Sequence, residues 1–346
     1  MLQRSILLDG ESLITPSSMS SALTADDVII DERQKSTAFG ELALILNLAQ
    51  QQFENGANPQ AAVHRLAGAL HETRRKLHPR LWQELIPVAQ SHPVSRHLLE
   101  DPFTRWSHDK PRGYSGDAQL LDFIYGHPSI AKAVADSSEV GQALYAYTKD
   151  ASSSVAVRER RNLLTKYVDE IAASKGPDTE VLAIAAGHLR EANQSKALWS
   201  QGIRRWVALD QDPLSVGSIT RDFAGTCIEA VDGSVRSILA KPDRLGRFDF
   251  VYAAGLYDYL SHKVSVRLTR ACLQMLKPGG TFLFANFSED IGVDGYMETF
   301  MNWALLLRSE TDMWSIIEES RDPGDKARVM FGANRNIVYG LITRGG

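Results

Sequence analysis

Cysteine is scarce in this sequence. The 346 residues contain only Cys227 and Cys272, which excludes a disulfide framework and a zinc site with four thiolate ligands. The nine histidines show no metal-ligand spacing, so no metal site is predicted. This cysteine content favours a reducing compartment, and we expect a cytoplasmic protein.

Long apolar runs and an excess of one charge are also missing. No apolar stretch reaches the roughly 18–20 residues that a membrane-spanning helix requires. The N-terminal sequence MLQRSILLDGESLI is not predicted to be a signal peptide, because Asp9 and Glu11 interrupt its short apolar patch. The formal net charge of −4 gives no general attraction to nucleic acid or to an anionic membrane. We therefore expect no membrane span and no nucleic-acid partner, and a small molecule as substrate.

The composition is that of a globular protein with room for more than one domain. Apolar residues make up 44% and charged residues 23% of the chain, close to the average for globular proteins. Residues 1–38 are poorly patterned. Residues 39–150 are predicted to form a helical cap or lid domain, residues 151–176 a connecting helix, and residues 177–346 a domain of alternating strands and helices.

Helical periodicity dominates the first predicted domain. Apolar residues at spacings of three and four predict helices over FGELALILNLAQQQF, NPQAAVHRLAGALHETRRKL and PRLWQELIPVAQ. A structured loop is predicted from Asp101 to Gln119, over DPFTRWSHDKPRGYSGDAQ. It combines aromatic residues, arginine, glycine and acids, and loops with such chemistry often carry function.

After Pro177 the pattern changes to strands. A continuous apolar run, TEVLAIAAG, is typical of a strand buried on both faces. Further strands are predicted at RRWVALDQD, GTCIEAVDG, FDFVYAAG and GGTFLFANF, with a last one at NRNIVYGLITR. Crossover helices are predicted between them at ANQSKALWSQG, PLSVGSITRDFAG and SVRLTRACLQML. This alternation predicts an α/β fold with a doubly wound parallel sheet.

The turns that follow the strands are the expected ligand positions in such a sheet. The first turn has one glycine, Gly187, where a dinucleotide-binding turn needs three, so an uncharged nucleoside fits better than a pyrophosphate. Asp210 ends the second strand and can accept hydrogen bonds from both ribose hydroxyls, or be a solvated acid. Asp232 ends the third strand and can accept from the exocyclic amine of adenine. Alternatively, Asp232 or Ser234 caps the next helix.

The order of these elements resembles the class I S-adenosylmethionine-dependent methyltransferases. The resemblance rests on the AIAAG strand end, Asp210, Asp232, FDFVYAAGLYDYL and LKPGGTFLFANF, where LKPGG is expected to be a tight turn before the fifth strand. It implies S-adenosyl-L-methionine as cofactor and a Rossmann-like sheet of seven strands with the last one antiparallel. The sequence departs from the family pattern at Ala185, in place of the first glycine, and at Leu189, where a third glycine is often found.

A narrower resemblance covers more of the chain. The segments KPRGYSGDAQLLDFIYG, VRERRNLL and AGLYDYL are similar to bacterial methyltransferases that make 3-hydroxy fatty acid methyl esters, which are quorum-sensing signals. This resemblance implies methylation of a carboxylate. The alternatives are an amino-acid N-methyltransferase, a non-methylating cyclase of a specialised-metabolite pathway, and a degenerate, non-catalytic binding module. A homodimer is a further expectation.

The strand ends and the resemblance together give a set of candidate site residues. The cofactor-binding candidates are Arg112, Arg158, Ala185, Gly187, Glu191, Asp210, Gln211, Asp232, Gly233, Ser234 and Gly255. The catalytic candidates are Tyr114, Asp117, Tyr257 and Tyr259. Tyr257, Asp258 and Tyr259 follow the fourth strand, at the position expected for the transferred methyl group.

Two further hypotheses concern the loop and the fifth strand. Arg112, Tyr114 and Asp117 are predicted to close over the cofactor as a lid, with Arg112 or Arg158 pairing with the methionine carboxylate. Alternatively, Arg112 and Asp117 pair with each other and hold the loop in place. Asn286 and Ser288 end the fifth strand, where they contact the acceptor or only cap the strand end.

Overall fold

The computed structural model describes residues 30–346. The expectations for the signal peptide and for most of the segment 1–38 lie outside these residues. The described chain divides into two compact units. The sheet unit contains Ala156–Asp290 and Leu305–Gly346, and the helical unit contains residues 30–155 and Ile291–Ala304.

The sheet unit is built on seven strands. Their bounds are β1 Glu180–Ile184, β2 Arg205–Asp210, β3 Ile228–Asp232, β4 Phe248–Ala253, β5 Leu276–Phe287, β6 Lys326–Phe331 and β7 Ile337–Thr343. The strand order is β3-β2-β1-β4-β5-β7-β6. The first five strands run parallel, and β7 lies antiparallel between β5 and β6. This confirms the predicted Rossmann-like fold with its antiparallel last strand.

The helices of both units follow a simple order along the chain. The helices before the sheet are α1 Glu32–Glu54, α2 Pro59–Lys76, α3 Pro79–Ser91, α4 Ser95–Leu98, α5 Pro102–Asp109, α6 Ala118–Tyr125, α7 Ala131–Ala135, α8 Glu139–Lys149 and α9 Ser152–Lys175. The helices between strands are α10 Lys196–Trp199, α11 Pro213–Asp222, α12 Val235–Ala240, α13 His262–Gln274, α14 Asp294–Thr299 and α15 Glu310–Ser320. Short 3-10 turns cover Pro128–Ile130, Ala192–Gln194, Pro242–Leu245 and Tyr257–Tyr259.

The two faces of the sheet carry different aromatic packing. On one face, Tyr167 of α9 stacks on Phe250, with ring centroids 6.1 Å apart, and Phe250 stacks on Tyr252 at 5.3 Å. On the other face, Phe284 packs against Tyr257 at 4.5 Å in a fully buried cluster with α13 and α15. Each strand in the middle of the sheet is therefore buried on both sides, which explains its continuous apolar sequence.

Several local predictions were wrong. Helix α1 begins at Glu32, before the predicted boundary at residue 39, because Asp31 caps it by accepting from the amide of Arg33. The predicted loop from Asp101 contains α5, which starts where Asp101 accepts from the amides of Phe103 and Thr104. Both starts follow a short polar side chain that caps a helix.

The sheet unit also differs from the prediction in three places. The segment ANQSKALWSQG holds only a single turn of α-helix, because Asp169 of α9 accepts from the amides of Lys196 and Ala197 and fixes the start of that turn. LKPGG forms an irregularity inside β5, where the register with β4 shifts, rather than a turn before it. Strand β6 was not predicted, because it lies at the sheet edge and its residues are exposed or half-buried.

The segment Ile291–Ala304 belongs to the helical unit, although the sequence analysis assigned all of residues 177–346 to one domain. Arg74 of α2 explains this placement, because its guanidinium donates to Asp294 at 2.8 Å and to Glu298 at 2.9 Å. The indole of Trp82 donates to Glu298 as well. Both acids are almost fully buried, so this charged network has to form for α14 to pack in the helical unit.

Candidate cofactor site at the strand ends

The loop after β1 keeps a left-handed backbone at three alternate positions. The φ angles are 53° at Ala185, 58° at Gly187 and 51° at Leu189. Glycine occupies this region at no steric cost, whereas another residue loses about 1–2 kcal/mol. The loop therefore has the conformation that a three-glycine turn would adopt, even though the sequence provides glycine only in the middle.

Asp210 holds this loop through its side chain. Oδ2 accepts from the amide of Gly187 at 2.7 Å, and Oδ1 accepts from the amide of Asp212 at 2.8 Å. Burial raises the pKa of Asp210, and these two amide hydrogen bonds oppose the rise. An ionised carboxylate has about four acceptor positions, so about two remain for the hydroxyls of a bound sugar.

Asp232 lies beside Asp210 in the register of β2 and β3. Its side chain is exposed. The sequence left open whether Asp232 or Ser234 caps the next helix. Ser234 is the cap, since it exchanges hydrogen bonds with Ser237 at the start of α12. Asp232 is thus not the residue that caps this helix.

Two more cofactor candidates lie at the same ends. The amide of Gly233 donates to the backbone oxygen of Asp210 at 3.0 Å, so the turn after β3 is tied to the end of β2. A side chain at this glycine would meet Leu209, with its Cβ 3.0 Å from Leu209 Cδ1. Gln211 is half-buried directly after β2.

Glu191 is buried in the interior of the sheet unit. Its carboxylate accepts from the hydroxyl of Tyr252 at 2.6 Å, and its backbone oxygen accepts from Thr165 of α9. Burial raises the pKa of Glu191, and the hydrogen bond from Tyr252 opposes the rise. Glu191 therefore connects β4 and α9, and its role in cofactor binding stays a prediction.

Arg160 of α9 is a residue that the sequence analysis missed. Arg158, the predicted candidate, is half-buried, whereas Arg160 is only 4% exposed. A Cβ placed on Gly255 would lie 3.7 Å from Nη2 of Arg160. The signal was available in the spacing, since Ala156 and Leu164, one turn on either side, are apolar and buried.

The two tyrosines after β4 differ in burial. Tyr257 is fully buried, and its hydroxyl shares a hydrogen bond of 2.8 Å with Thr269 of α13. Burial raises the pKa of Tyr257 well above its usual value. The 3-10 turn directs the ring into the core, which favours a packing role, and the catalytic role of Tyr257 stays a prediction. Tyr259 is half-buried, and its catalytic role stays a prediction.

Asp258 is a buried acid between these tyrosines. Oδ1 accepts from the amide of Phe287 at 2.6 Å, and the side chain is only 2% exposed. Burial raises the pKa of Asp258 to about 6, although that amide and the charges of Arg160 and Arg308 oppose the rise. Asp258 therefore changes its ionisation closer to neutral pH than an exposed acid does.

The end of β5 is held by Arg308. Its guanidinium donates to Asn286 Oδ1 and to the backbone oxygens of Tyr257 and Leu260. The side-chain amide of Asn286 donates to backbone oxygens, and Ser288 donates to Arg335. These contacts favour the structural interpretation of Asn286 and Ser288 over acceptor contact.

The predicted lid residues lie in the helical unit. Asp117 caps α6 by accepting from the amides of Gln119 and Leu120, and it also accepts from the indole of Trp106 at 3.0 Å. Arg112 Nε lies 3.8 Å from the same carboxylate. With 2% exposure and these donors, Asp117 has a structural role, and its catalytic role stays a prediction. The alternative pairing of Arg112 with Asp117 is the one observed, while Tyr114 is half-buried.

Within residues 30–346, no group of three or more His, Cys, Asp or Glu side chains is arranged to hold a metal ion. No helix in that part of the chain has the length and apolar character needed to cross a membrane.

Comparisons with known proteins support the fold. No protein-family model and no curated protein matches this chain. A solved structure of a possible exported protein from Bordetella parapertussis has a TM-score of 0.55 and 17% identity, and the match covers 92% of this chain and 100% of that one. At this identity the likeness concerns the fold alone.

Two solved methyltransferases are similar over about half of this chain. N-methyltransferase NodS from Bradyrhizobium japonicum, in complex with S-adenosyl-L-homocysteine, has a TM-score of 0.39 and 18% identity, covering 57% of this chain and 90% of its own. CalS10, an amino pentose methyltransferase from Micromonospora echinaspora, has a TM-score of 0.41 and 12% identity, covering 55% and 95%. The class of fold, defined by the strand order reported above, is the Rossmann-like sheet of class I methyltransferases.

Replacing Ala185 by glycine should stabilise the protein. Glycine removes the steric cost of the left-handed backbone but adds flexibility to the unfolded chain, which leaves a gain of about 0.5–1 kcal/mol in the free energy of unfolding. Urea unfolding measures this gain. Ala186→Gly is the matched control, because the backbone of Ala186 lies outside the left-handed region. Glycine relieves no strain there, so this variant should be less stable than wild type. A loss of stability in Ala185→Gly would contradict the account of the loop.

The raised pKa of Asp258 should make stability fall with pH. The folded state binds this proton more tightly than the unfolded state, so the free energy of unfolding decreases as the pH rises from about 4 to about 6. Asp258→Asn should remove up to about 3 kcal/mol of this decrease. Urea unfolding at several pH values measures it, with the exposed Asp178→Asn as control. Equal pH dependence in Asp258→Asn and wild type would contradict the prediction.

Proposed function

We propose that this chain is an S-adenosyl-L-methionine-dependent methyltransferase that acts on a small molecule. The observation that carries the proposal is the position of Asp210. Its carboxylate closes the second strand of the sheet, is fixed by the amides of Gly187 and Asp212, and keeps acceptor capacity for the two hydroxyls of a ribose. The left-handed loop brings backbone, with little side chain, beside that carboxylate.

The proposed cofactor contacts follow the strand ends. Asp210 binds the ribose, and Asp232 accepts from the adenine amine at the neighbouring strand end. Ala185 and Gly187 allow the backbone to approach the nucleoside, and Gly255 leaves space after β4 for the methionine part. Gln211, Gly233 and Ser234 are the remaining contacts that we propose around the adenine.

Methyl transfer from S-adenosyl-L-methionine requires few catalytic groups from the protein. The bound cofactor supplies an activated methyl group, so the chain's own residues have to orient the acceptor in line with that group and exclude water. A base is needed only if the attacking atom of the acceptor carries a proton. We also propose that Arg112 and Tyr114 belong to a lid that closes over the cofactor, with Asp117 holding the lid loop through its helix cap.

For the acceptor, we propose the carboxylate of a 3-hydroxy fatty acyl group, which gives a methyl ester. Besides the resemblance of the RGYSGD segment, the state of the catalytic candidates supports this choice. Tyr257 is bonded to Thr269 in the core and Asp117 caps a helix, so neither is placed to take a proton. A carboxylate is already ionised near neutral pH and needs no base. An amino-acid nitrogen as acceptor, cyclisation and a non-catalytic binding module are the competing outcomes.

The remaining expectations are also proposals. We propose a reducing, cytoplasmic compartment, in which Cys227 and Cys272 stay as the free thiols that they are in the described chain. A homodimer stays a prediction, and the mass of the protein in solution would test it.

Cofactor binding tests the proposed function directly. Calorimetric titration of S-adenosyl-L-methionine into the full chain should give saturable binding, and Asp210→Asn should weaken it at least tenfold because a charge-assisted bond to the ribose is lost. Asp232→Ala should weaken it less. Glu229→Gln is the matched control, since this exposed acid lies earlier on β3 and pairs with Arg205. Absence of binding to wild type, or equal affinity in Asp210→Asn, refutes the proposal. The same titration with Arg112→Ala and Tyr114→Phe tests the lid, and unchanged affinity in both variants removes it.

The acceptor is tested by product analysis. With 3-hydroxy fatty acids and S-adenosyl-L-methionine, we expect a methyl ester and S-adenosyl-L-homocysteine, at a rate that stays flat from about pH 6 to pH 9 because the carboxylate is ionised throughout. A panel of amino acids serves as control. N-methylated products with a rate that rises with pH would support the amine alternative, and release of 5′-methylthioadenosine would support cyclisation.

A further inference from the structure

Four buried polar atoms of the sheet unit have no hydrogen-bond partner within the described chain. They are Nε1 of Trp206, Oδ1 of Asn336, Nη1 of Arg160 and the hydroxyl of Tyr339, and the last two interact with each other electrostatically. Arg160 is 4% exposed, and Tyr339 is fully buried. Buried donors are almost always satisfied in folded proteins, and an unsatisfied donor on a charged group is especially costly. The two that interact, Arg160 and Tyr339, therefore need a common explanation.

The two groups lie at the ligand-binding edge of the sheet. Tyr339 is on β7 opposite Ala285, near the carboxyl end of β5. Arg160 approaches Gly255, just after the carboxyl end of β4, where an added Cβ would be 3.7 Å from Nη2. The two side chains also affect each other, because the charge of Arg160 opposes the rise in the pKa of Tyr339 that burial causes.

The acids around Arg160 already have other donors. Glu191 accepts from the hydroxyl of Tyr252 at 2.6 Å, and Asp258 accepts from the amide of Phe287 at 2.6 Å. Glu159, the third acid near this pair, accepts twice from the amide of Ala333. None of these acids forms a hydrogen bond with Nη1 of Arg160 in the described chain. We therefore infer that the acceptor that completes the site comes from outside the described residues.

We propose that Arg160 Nη1 and the Tyr339 hydroxyl together bind one carboxylate group of a small molecule beside Gly255. Two donors, one of them charged, match the two oxygens of a carboxylate. This inference rests on the proposed function, because it places the carboxylate beside the proposed cofactor. The group belongs either to the amino-acid end of the cofactor or to the acceptor. In the first case Arg160 takes the role that was predicted for Arg112 or Arg158.

Three probes separate these possibilities by calorimetric titration. S-adenosyl-L-homocysteine carries the cofactor carboxylate, 5′-methylthioadenosine has the same nucleoside without it, and 3-hydroxydecanoate, added in the presence of 5′-methylthioadenosine, represents the acceptor. Arg160→Met should weaken binding of a carboxylate probe about tenfold or more, and Tyr339→Phe about fivefold. Binding of 5′-methylthioadenosine alone should not change in either variant.

The pattern of losses identifies the source of the carboxylate. Weaker binding of S-adenosyl-L-homocysteine assigns the pair to the cofactor, and weaker binding of 3-hydroxydecanoate alone assigns it to the acceptor. The inference is overturned if both variants bind both carboxylate probes with wild-type affinity. It is also overturned if wild type binds neither of the two carboxylate probes. The nucleoside probe keeps this result distinct from the proposed function, since that function fails if 5′-methylthioadenosine and S-adenosyl-L-homocysteine both fail to bind wild type.

Tyr339→Phe is expected to stay folded, so a loss of affinity in this variant is not caused by misfolding. The hydroxyl that it removes has no partner in the described chain, so its midpoint of urea unfolding should equal or exceed that of wild type. Tyr167→Phe is the matched control, because that hydroxyl accepts from Arg328 at 2.6 Å on the same unit. Arg161→Met controls for Arg160→Met on α9. Neither control should change the affinity for any of the three probes.

Discussion

The carboxylate of Asp210 ties the loop after β1 to the end of β2, and the candidate site depends on this contact. Its two oxygens accept from the amides of Gly187 and Asp212, so the acid fixes the backbone on both sides of the strand end. These hydrogen bonds help to offset the strain at Ala185 and Leu189. The loop therefore keeps its left-handed backbone with glycine at only one of the three positions.

Two buried arginines of the sheet unit illustrate how hydrogen bonding separates a supporting residue from a proposed binding residue. Arg308 donates to the backbone oxygens of Tyr257 and Leu260 and to the side chain of Asn286. Its guanidinium therefore stabilises the fold. Arg160 is buried just as deeply but keeps Nη1 unsatisfied in the described residues. Burial alone does not distinguish them, whereas the count of satisfied donors does.

The charged groups of the helical unit serve the fold. Arg74 binds Asp294 and Glu298, which brings a segment from far along the chain into this unit. The carboxylate of Asp117 likewise accepts hydrogen bonds from an amide in the first turn of α6 and from the indole of Trp106. Acids in a loop rich in glycine and aromatic residues looked chemically active from the sequence, yet a helix cap uses the same residue types.

The sequence by itself determined the fold class and the positions of the strand-end acids. Runs such as VLAI and FDFVYA are apolar because both faces of a central strand are buried, and Asp210 follows such a run directly. Asp232 ends the half-exposed edge strand β3. Only the tertiary structure decided which side chains point inward. Tyr257 turns into the core, Arg160 is buried within a charged run, and β6 forms at a half-exposed edge. Periodicity is a local property of the chain, whereas hydrogen-bond partners are set by contacts between residues far apart in sequence.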